Sequence, residues 1–526
     1  AELRARHLID VDGAGQLAIA EPVRAAVLAG LAPEAARALH LTLAALLRAD
    51  AATTIDAALA QAALSTIDPL DRLREAVRHA RAAGDEAQAR TILVAAVPGT
   101  VQRGGRSELA AMIASLEDPL HPELVPIRIA LALGGGRIAD AAELVASAPS
   151  AVEALSAAEV ALAQGDLDRA AKRLAEVPSA SAAEGAPALV RALQAELALA
   201  RGHRDEAQRA VRAAERPGGD EGARARFLIA RAAVEMYVGD VAAARTSLGR
   251  AAAQVGAGLT PALRAAIECQ RASCLSREGR LGEAEAAAAQ AEQLARTLDD
   301  VVVADELRLA RARVTLRRGD ATSALAELRH LVATRRARGD ELGATQLEVE
   351  LAEAQVARGD LVPAVELASA VHASSTRLGL AVLAARARLC LAEVAVIEAR
   401  FDVAGPAITE LLASGVLDAA SRGRAEVLAA EVDAATTRDP STIARAYAAG
   451  GAEVRDDIDR GLAAALVAMA SGEFQDGLER ARDVAAAAER AGRRTELAMA
   501  LVLTARLELA RGDHSSARAA AIRGVR

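Results

Sequence analysis

Residues 301–332, VVVADELRLARARVTLRRGDATSALAELRHLV, decide the fold. They form two apolar-periodic segments separated by Gly319-Asp320. In the second segment, alanine and leucine recur at the i, i+3, i+4, i+7 spacing that places them on one face of an α-helix. The glycine supplies the left-handed backbone that ends a helix, and the aspartate can cap the start of the next one. The stretch therefore predicts two helices joined by a tight turn.

The same short phrase returns every 40 residues, as Gly239-Asp240, Gly279-Arg280, Gly319-Asp320, Gly359-Asp360 and Ala399-Arg400. A fixed period of roughly 20 to 50 residues is the signature of a stacked repeat architecture. An alanine stands seven residues before each phrase and another five residues after it, as Ala232, Ala244, Ala272, Ala284, Ala312, Ala324, Ala352, Ala364, Ala392 and Ala404. Two helices pack closely only where their crossing point carries small side chains, so we expect these alanines to meet in pairs there.

This pattern resembles the tetratricopeptide repeat, which has a small residue in its first helix, a turn of Gly-Asp type and an alanine early in its second helix. The chain departs from that family in its period of 40 residues, where about 34 is usual, and in its few aromatic residues. The resemblance implies an all-α fold, a right-handed αα-superhelix of helical hairpins. We expect helical adaptor hairpins over residues 49–126 and the repeat array over 127–526, most regular over 228–405.

The first residues differ from the rest. His7–Val11 and Gln16–Ile19 are strand-like runs around Asp12-Gly13-Ala14-Gly15, a pattern typical of a β-hairpin. Helical segments follow, with Pro22-Val23-Arg24 and Ala36-Arg37-Ala38-Leu39-His40. This order is similar to the end of the winged-helix module in STAND-type ATPase regulators, which are large bacterial transcription factors similar to the maltose regulator. We expect residues 1–48 to be the C-terminal end of such a module, with the short β-hairpin as its remnant.

In that family a nucleotide-binding module precedes the winged helix, the repeats act as a sensor, and a LuxR-type helix-turn-helix follows. The resemblance implies that this chain is the non-enzymatic effector-sensing and protein-interaction region of such a regulator. The chain has no Gly-x-x-x-x-Gly-Lys-Ser/Thr loop, so we expect nucleotide and DNA to bind only to modules outside it. Its first residue is Ala and its last segment has no repeat behind it, which suggests a piece of a longer protein. The alternative is a free-standing tetratricopeptide scaffold or peptide-binding adaptor.

Composition narrows the function further. A net charge of −8 argues against a general nucleic-acid surface. We expect the three cysteines to be buried thiols in a reducing cytoplasm. No apolar run reaches the roughly 18 residues that span a membrane. No cluster of histidine, cysteine or carboxylate predicts a metal or catalytic site, so we expect no enzyme, no metal and no cofactor here. Gly13-Ala14-Gly15 partly matches a dinucleotide fingerprint, but a strand-like run follows where that motif requires a helix.

The superhelix implied by the resemblance has a concave groove lined by the first helix of each hairpin. Transferring the family geometry repeat by repeat directs nine side chains towards this groove, namely Arg226, Tyr237, Arg277, Glu306, Arg313, Arg317, Glu353, Arg386 and Glu393. With both charge signs, the set is our candidate site for a protein, a peptide or a small effector. The alternative for each residue is an ordinary solvated charge or one paired with a neighbour. We expect Arg313→Ala to leave stability unchanged.

Overall fold

The computed structural model describes residues 9–11, 17–19, 33–34, 37–38, 40–41, 69–102, 105–147, 153–177, 186–212, 221–254, 261–296, 301–437, 457–491 and 494–525. The chain forms two compact units. The first comprises Ala1–Leu131 with Ala146–Val152, and the second comprises Ala132–Val145 with Glu153–Arg526.

The first unit begins with the expected β-hairpin, in which β1 (Ile9–Val11) pairs antiparallel with β2 (Leu17–Ile19). Its helices are α1 (Pro69–Ala82), α2 (Glu86–Gln102), α3 (Arg106–Ala114) and the start of α4 (Val125–Gly134). Leu93, Leu109 and Ile113 lie at the centre of its core and are fully buried. The winged-helix assignment of residues 1–48 depends largely on residues outside the described ranges and stays a prediction, as does the adaptor over 49–126.

The second unit is an array of helical hairpins. Its helices are α5 (Ile138–Ser147), α6 (Ala154–Ala163), α7 (Leu167–Glu176), α8 (Ala186–Arg201), α9 (Arg204–Arg212), α10 (Glu221–Val238), α11 (Val241–Gln254), α12 (Pro261–Arg277), α13 (Leu281–Ala295), α14 (Val301–Arg317), α15 (Ala321–Ala337), α16 (Glu341–Arg358), α17 (Leu361–Arg377), α18 (Ala381–Ile397), α19 (Phe401–Ser414), α20 (Ala419–Thr437), α21 (Asp457–Ala470), α22 (Phe474–Ala491), α23 (Arg494–Ala510) and α24 (His514–Val525). From α6 to α19, the even-numbered helix is the first of each hairpin and the odd-numbered helix is the second.

The repeated phrase is the turn inside each hairpin, as predicted. Its first residue adopts the left-handed conformation in all five copies, with φ of 98° at Gly239, 75° at Gly279, 85° at Gly319, 88° at Gly359 and 57° at Ala399. This conformation turns the chain back so that the following amide reaches the end of the first helix. The N–H of Asp360, for example, donates to the carbonyl of Gln355 at 2.9 Å.

The aspartate of the phrase caps the second helix in some repeats only. Asp240 accepts a hydrogen bond from the N–H of Ala243 at 2.8 Å, and Asp320 accepts one from the N–H of Ser323 at 3.1 Å. Asp360 makes no such bond, contrary to the sequence-based expectation. Its carboxylate instead pairs with Arg358, which lies at the end of the preceding helix.

Ala399 is the one non-glycine residue with positive φ among the described residues. An L-residue in this region suffers a steric cost of about 1–2 kcal/mol, while glycine loses more entropy on folding. We expect Ala399→Gly to raise the free energy of unfolding by about 0.5–1 kcal/mol, measured by urea denaturation. The reverse change, Gly359→Ala, should destabilise, and destabilisation by both variants would contradict this account of the turn.

The ten alanines that flank the phrases are all buried, with no more than 3% of the surface of each exposed. Ala352 shares a hydrophobic cluster with Ala364, as Ala232 does with Ala244. The expectation that small residues occupy the helix crossings is therefore confirmed for these hairpins.

A larger side chain at one of these positions should separate the two helices. We expect Ala312→Leu to destabilise the chain by about 1–3 kcal/mol, because the added methyl groups overpack the contact between α14 and α15. Thermal unfolding followed by circular dichroism measures the effect. Leucine at the exposed Ala357 is the matched control, and an equal effect of both variants would show that the crossing lies elsewhere.

The hairpins wind into a right-handed superhelix whose successive turns touch. First helices contact first helices five hairpins further along, α6 with α16, α8 with α18 and α10 with α20. One hydrophobic cluster joins Leu162 and Leu193 to Val349, Leu380 and Leu383, all of them buried. We call this contact between successive superhelical turns the seam.

Individual residues of successive superhelical turns also contact each other along the seam. The N–H of Ala139 donates to the carbonyl of Arg338 at 2.9 Å. A Cβ added at Gly202 would lie 2.9 Å from Cγ1 of Val416. The hydroxyl of Tyr237 donates to the carbonyl of Val416, 179 residues away, at 2.5 Å. We call the space on the concave side of the array, which the first helices line, the inner channel.

Candidate functional site

Ionic side chains of successive first helices gather on the wall of the inner channel. We define the inner charge cluster as Arg277, Arg313, Glu350, Glu353, Arg386 and Asp418. These residues come from α12, α14, α16, α18 and the turn that precedes α20. The formal charges of the six side chains cancel. The hairpin spacing brings them together because first helices of neighbouring repeats lie side by side.

Arg313 bridges three first helices. Its Nε and Nη2 donate to the two carboxylate oxygens of Glu350 at 2.9 and 2.6 Å, and its Nη1 donates to Oγ of Ser273 at 3.3 Å. This is a two-pronged arginine–carboxylate pair, the geometry that combines strength with a fixed orientation. Arg313 is therefore held in place on both sides, which makes the expected neutrality of Arg313→Ala untenable.

Arg386 and Glu353 form a second pair in the cluster. Nη2 of Arg386 donates to both carboxylate oxygens of Glu353, at 2.9 and 2.8 Å. Asp418 lies beside this pair at the start of α20, where it accepts hydrogen bonds from the N–H and hydroxyl of Ser421 at 2.9 and 3.1 Å. Asp418 is buried, with 8% of its surface exposed, and its carboxylate accepts hydrogen bonds from those two donors.

These contacts set the protonation of the cluster. Burial would raise the pKa of Glu350, but Arg313 and, further away, Arg386 and Arg277 bring it down to about 2. Burial dominates at Glu353 and leaves its pKa above the usual range despite the pairing with Arg386. For Asp418, burial is outweighed by Arg277, Arg386 and the bonds from Ser421, so its pKa is lowered.

The nine residues that the sequence predicted for the groove include some that form ion pairs and some that do not. Five of the nine make an ion pair with a neighbouring or more distant helix, as Arg226 with Glu159, Glu306 with Arg335, Arg313 with Glu350, Arg386 with Glu353 and Glu393 with Arg424. For these the alternative interpretation, a charge paired with a neighbour, describes the contacts. Tyr237 is a buried residue of the seam. Arg317 is exposed at the end of α14.

Arg277 differs from its neighbours in the cluster. Its residue surface is exposed to water, and among the described residues no carboxylate lies within 4.0 Å of it. Burial nevertheless lowers its pKa, with Arg313 and Arg386 adding to the effect and Asp418 opposing it. Arg277 is therefore an exposed cation of the cluster whose counter-charge, Asp418, acts on it without a contact within 4.0 Å.

The described residues give little support for a reactive thiol, a metal site or a membrane-spanning helix. Cys269, Cys274 and Cys390 are free and buried, as expected. Burial raises the pKa of Cys269 to about 12 and that of Cys274 to about 11, so neither is a thiolate at neutral pH. The described part of the chain contains no group of three metal-ligating side chains. It also contains no helix with the length and hydrophobicity to cross a bilayer.

A cavity of about 500 Å³ lies between α7, α8 and α9, and none of the inner charge cluster lines it. Arg191, Arg201 and Arg209 border this cavity. Arg201 is already engaged, because its Nη2 donates to Asp168 at 2.6 Å. The inner channel rather than this cavity is therefore the candidate site.

Sequence reasoning missed the partners of the predicted residues. Glu350 and Asp418 belong to the cluster but stand at no position that the repeat comparison singled out, whereas Ser273 lies 40 residues before Arg313 and shares its repeat position. Helix periodicity carries a usable signal for Glu350, since it lies three residues before Glu353 and thus on the same helix face. A second contact that the sequence did not indicate lies in the first unit, where the Nδ1 atoms of His40 and His79 are 2.7 Å apart although the residues are 39 positions apart in the chain.

The sequence matches no protein-family model and no curated protein. Several solved structures are similar in fold. The Rap protein complexed with competence and sporulation factor is 11% identical over 69% of this chain and 98% of its own, with a TM-score of 0.41. NprR in complex with its cognate peptide NprX is 11% identical over 64% and 96%, with a TM-score of 0.44. A chain of the APC/C hetero-tetramer Cut9–Hcn1 is 12% identical over 89% and 93%, with a TM-score of 0.44.

At such identities the likeness concerns the fold alone. The repeat turns, the buried alanine crossings and the right-handed winding define this chain as a tetratricopeptide-like helical-repeat protein.

Proposed function

We propose that the array is a non-enzymatic binding region that takes up a small effector or a peptide in its inner channel. The observation that carries the proposal is the cluster of six charged side chains on the first helices, in which the exposed Arg277 has no carboxylate within 4.0 Å among the described residues. Interior polar groups are normally satisfied by partners within the protein. Charged groups on a concave wall are typical of a ligand site, where a few polar groups fix the orientation of the ligand.

The seam supports a regulatory role for such binding. Residues of the inner charge cluster lie on helices that also form the seam, α16 and α18 among them. A ligand that binds more tightly while the seam contacts are formed would stabilise the seam, and such differential affinity for two states is the requirement for signalling. Two of the similar proteins, Rap and NprR, were solved with a factor or a cognate peptide bound.

We propose further that the array is the sensor of a cytoplasmic STAND-type, LuxR-like transcriptional regulator. The β-hairpin before the helices and the order of segments support this assignment. In this arrangement, nucleotide and DNA bind to other modules of the regulator. The gene sequence upstream of Ala1 tests the assignment directly, because it should encode a Gly-x-x-x-x-Gly-Lys-Ser/Thr phosphate loop. A complete gene without that loop would reject it and leave the free-standing scaffold.

Binding can be tested on the purified chain. The chain is incubated with the low-molecular-mass fraction of a bacterial extract, separated by gel filtration and analysed for retained compounds by mass spectrometry. Ligands of the folded state raise the melting temperature in proportion to the logarithm of their concentration. We expect a retained compound that stabilises the chain. Retention of a defined protein, with no stabilisation by any small compound or peptide, would favour the scaffold instead.

A further inference from the structure

The hairpin formed by α23 and α24 carries three exposed apolar residues on one side of its first helix. Met499, Val502 and Leu509 have 46%, 49% and 56% of their surface exposed. They follow one another at spacings of three and seven residues, which places them along one face of α23. Single exposed apolar residues are common on protein surfaces and need no explanation. Val502 and Leu509 differ from such residues in the repeat positions that they occupy.

Val502 stands at a repeat position that is buried in the preceding hairpins. It lies ten residues before Gly512, the residue with positive φ in the turn of its hairpin. In each of five earlier hairpins, the residue at this position is buried in a hydrophobic cluster that includes the first helix of the following hairpin. Leu462, for example, shares a cluster with Leu497 and Leu501 of α23. The five residues are Cys269, Leu309, Val349, Leu389 and Leu462.

Leu509 and Ala521 stand at two further positions of this kind. Leu509 lies three residues before Gly512, where four earlier hairpins have an apolar residue packed into a cluster with the following first helix, namely Leu316, Val356, Val396 and Met469. Ala521 of α24 lies nine residues after Gly512 and is exposed. Its counterparts are all buried, and they are Leu248, Ala288, Leu328, Ala368, Ile408 and Ala481. We define the terminal face as Met499, Val502, Leu509 and Ala521.

We infer that the terminal face is a stacking surface for the first helix of one further hairpin, supplied by the polypeptide downstream of Arg526. The terminal face continues an interface that recurs along the array, because its positions are those that a following first helix covers elsewhere. A repeat that closes an array normally has a polar outer face. Valine and leucine at the covered positions are therefore the residues of an internal repeat.

A second copy of this chain would not reproduce that interface. First helices of successive hairpins run in the same direction, because an antiparallel second helix lies between them in the chain. A two-fold dimer uses the same patch on both subunits, so that α23 would meet its counterpart in the opposite direction. The packing along the array thus corresponds to a further hairpin and not to a two-fold dimer.

The inference makes a first prediction about the gene. Within one period of 40 residues after the last hairpin, it should encode a helix with apolar residues at the i, i+3, i+4, i+7 spacing. A turn of Gly-Asp type should follow that helix. The helices that cover the equivalent positions have this composition, as Leu503 and Leu507 of α23 illustrate.

Cysteine labelling tests the contact itself. Val502→Cys and Val362→Cys are each made in the 526-residue chain and in a chain extended by the hairpin that the gene encodes after Arg526. Val362 is the matched control, because it is a 71% exposed valine of α17 at a repeat position where Thr322 and Asp402 are exposed as well. The three native cysteines are buried, so they contribute little background labelling.

We expect Val502→Cys to react readily in the 526-residue chain and roughly tenfold or more slowly in the extended chain. Val362→Cys should react at the same rate in both. Adding Leu509→Asp to Val502→Cys should restore fast labelling in the extended chain, because a carboxylate would then face the added helix. Circular dichroism melting curves of the 526-residue variants should agree with wild type, since the substituted residues are half exposed there.

Three results would overturn the inference. The first is a gene that ends at Arg526 or continues without such a helix. The second is equal labelling of Val502→Cys in the two chains. The third is a dimer of the 526-residue chain in sedimentation velocity that Leu509→Asp dissociates, which would assign the terminal face to a second copy. None of these results bears on ligand binding in the inner channel, so the two proposals fail separately.

Discussion

Arg313→Ala is expected to lower the free energy of unfolding at neutral pH by about 2–3 kcal/mol. The substitution removes both hydrogen bonds from Glu350, whose side chain is only 15% exposed, and leaves a carboxylate unpaired in a poorly hydrated place. Full loss of a partner in a buried pair typically costs about 3–5 kcal/mol, and the 35% exposure of Arg313 reduces that figure.

The pH dependence of this effect has a definite sign. The pKa of Glu350 is lowered to about 2, below its ordinary value of 4.5, so its ion pair stabilises the fold above pH 4.5. That contribution is lost as the pH falls from about 4.5 towards 2. Without Arg313, burial dominates and raises the pKa of Glu350. The difference between wild type and Arg313→Ala should therefore shrink on acidification.

Urea denaturation at several pH values from neutrality to acid measures both effects. Arg377→Ala serves as the control, because Arg377 is an exposed arginine at the end of α17. Glu350→Gln combined with Arg313→Ala should cost less than the sum of the single changes, since the two residues form one interaction. An Arg313→Ala variant as stable as the control at neutral pH would contradict the assigned pair.

Gly202→Ala is expected to destabilise the array by about 2–4 kcal/mol, since it combines backbone strain with a clash across the seam. Gly202 has a φ of 75°, and a Cβ there would lie 2.9 Å from Cγ1 of Val416. Valine is branched at Cβ and has little rotamer freedom with which to move aside. The variant should also loosen the contact between the end of α8 and the start of α18.

Gly359→Ala is the matched control for this prediction. Gly359 has a φ of 88°, and an added Cβ would meet nothing within 4 Å, so that only backbone strain of about 1–2 kcal/mol applies. The difference between the two variants measures the seam alone. Hydrogen exchange supplies a second readout, with faster exchange in α8 and α18 for Gly202→Ala only. Equal destabilisation and unchanged exchange would show that the two superhelical turns do not touch in solution.

The sequence predicts local features of this fold well. The 40-residue period, the positive φ of Gly239 and Gly279, and the burial of Ala352 and Ala364 all follow from contacts within one hairpin. Propensity, turn chemistry and helix periodicity act over such short distances. The prediction that Asp360 caps a helix is wrong, because its carboxylate forms an ion pair with Arg358, a residue that the sequence analysis did not consider.

The repeat pattern does not predict contacts between residues that are far apart in the chain. The bond from Tyr237 to Val416 joins residues 179 positions apart, and small rotations between repeats accumulate over five hairpins to bring them together. The position of Arg277, Arg313 and Arg386 in a ligand groove stays a prediction of the transferred geometry, and their ion pairing does not follow from it. Whether an inward arginine is paired depends on carboxylates of neighbouring repeats, and those positions vary from one repeat to the next.

The seam also bears on how such an array can change during evolution. Open solenoids gain and lose whole repeats by duplication or deletion, since each unit touches only its immediate neighbours. Here α8 must meet α18 and α10 must meet α20, so removal of a single hairpin between them would place every later contact one helix pair out of register. The contacts between superhelical turns therefore fix the number of repeats. We expect such arrays to evolve by substitution of residues rather than by gain or loss of whole repeats.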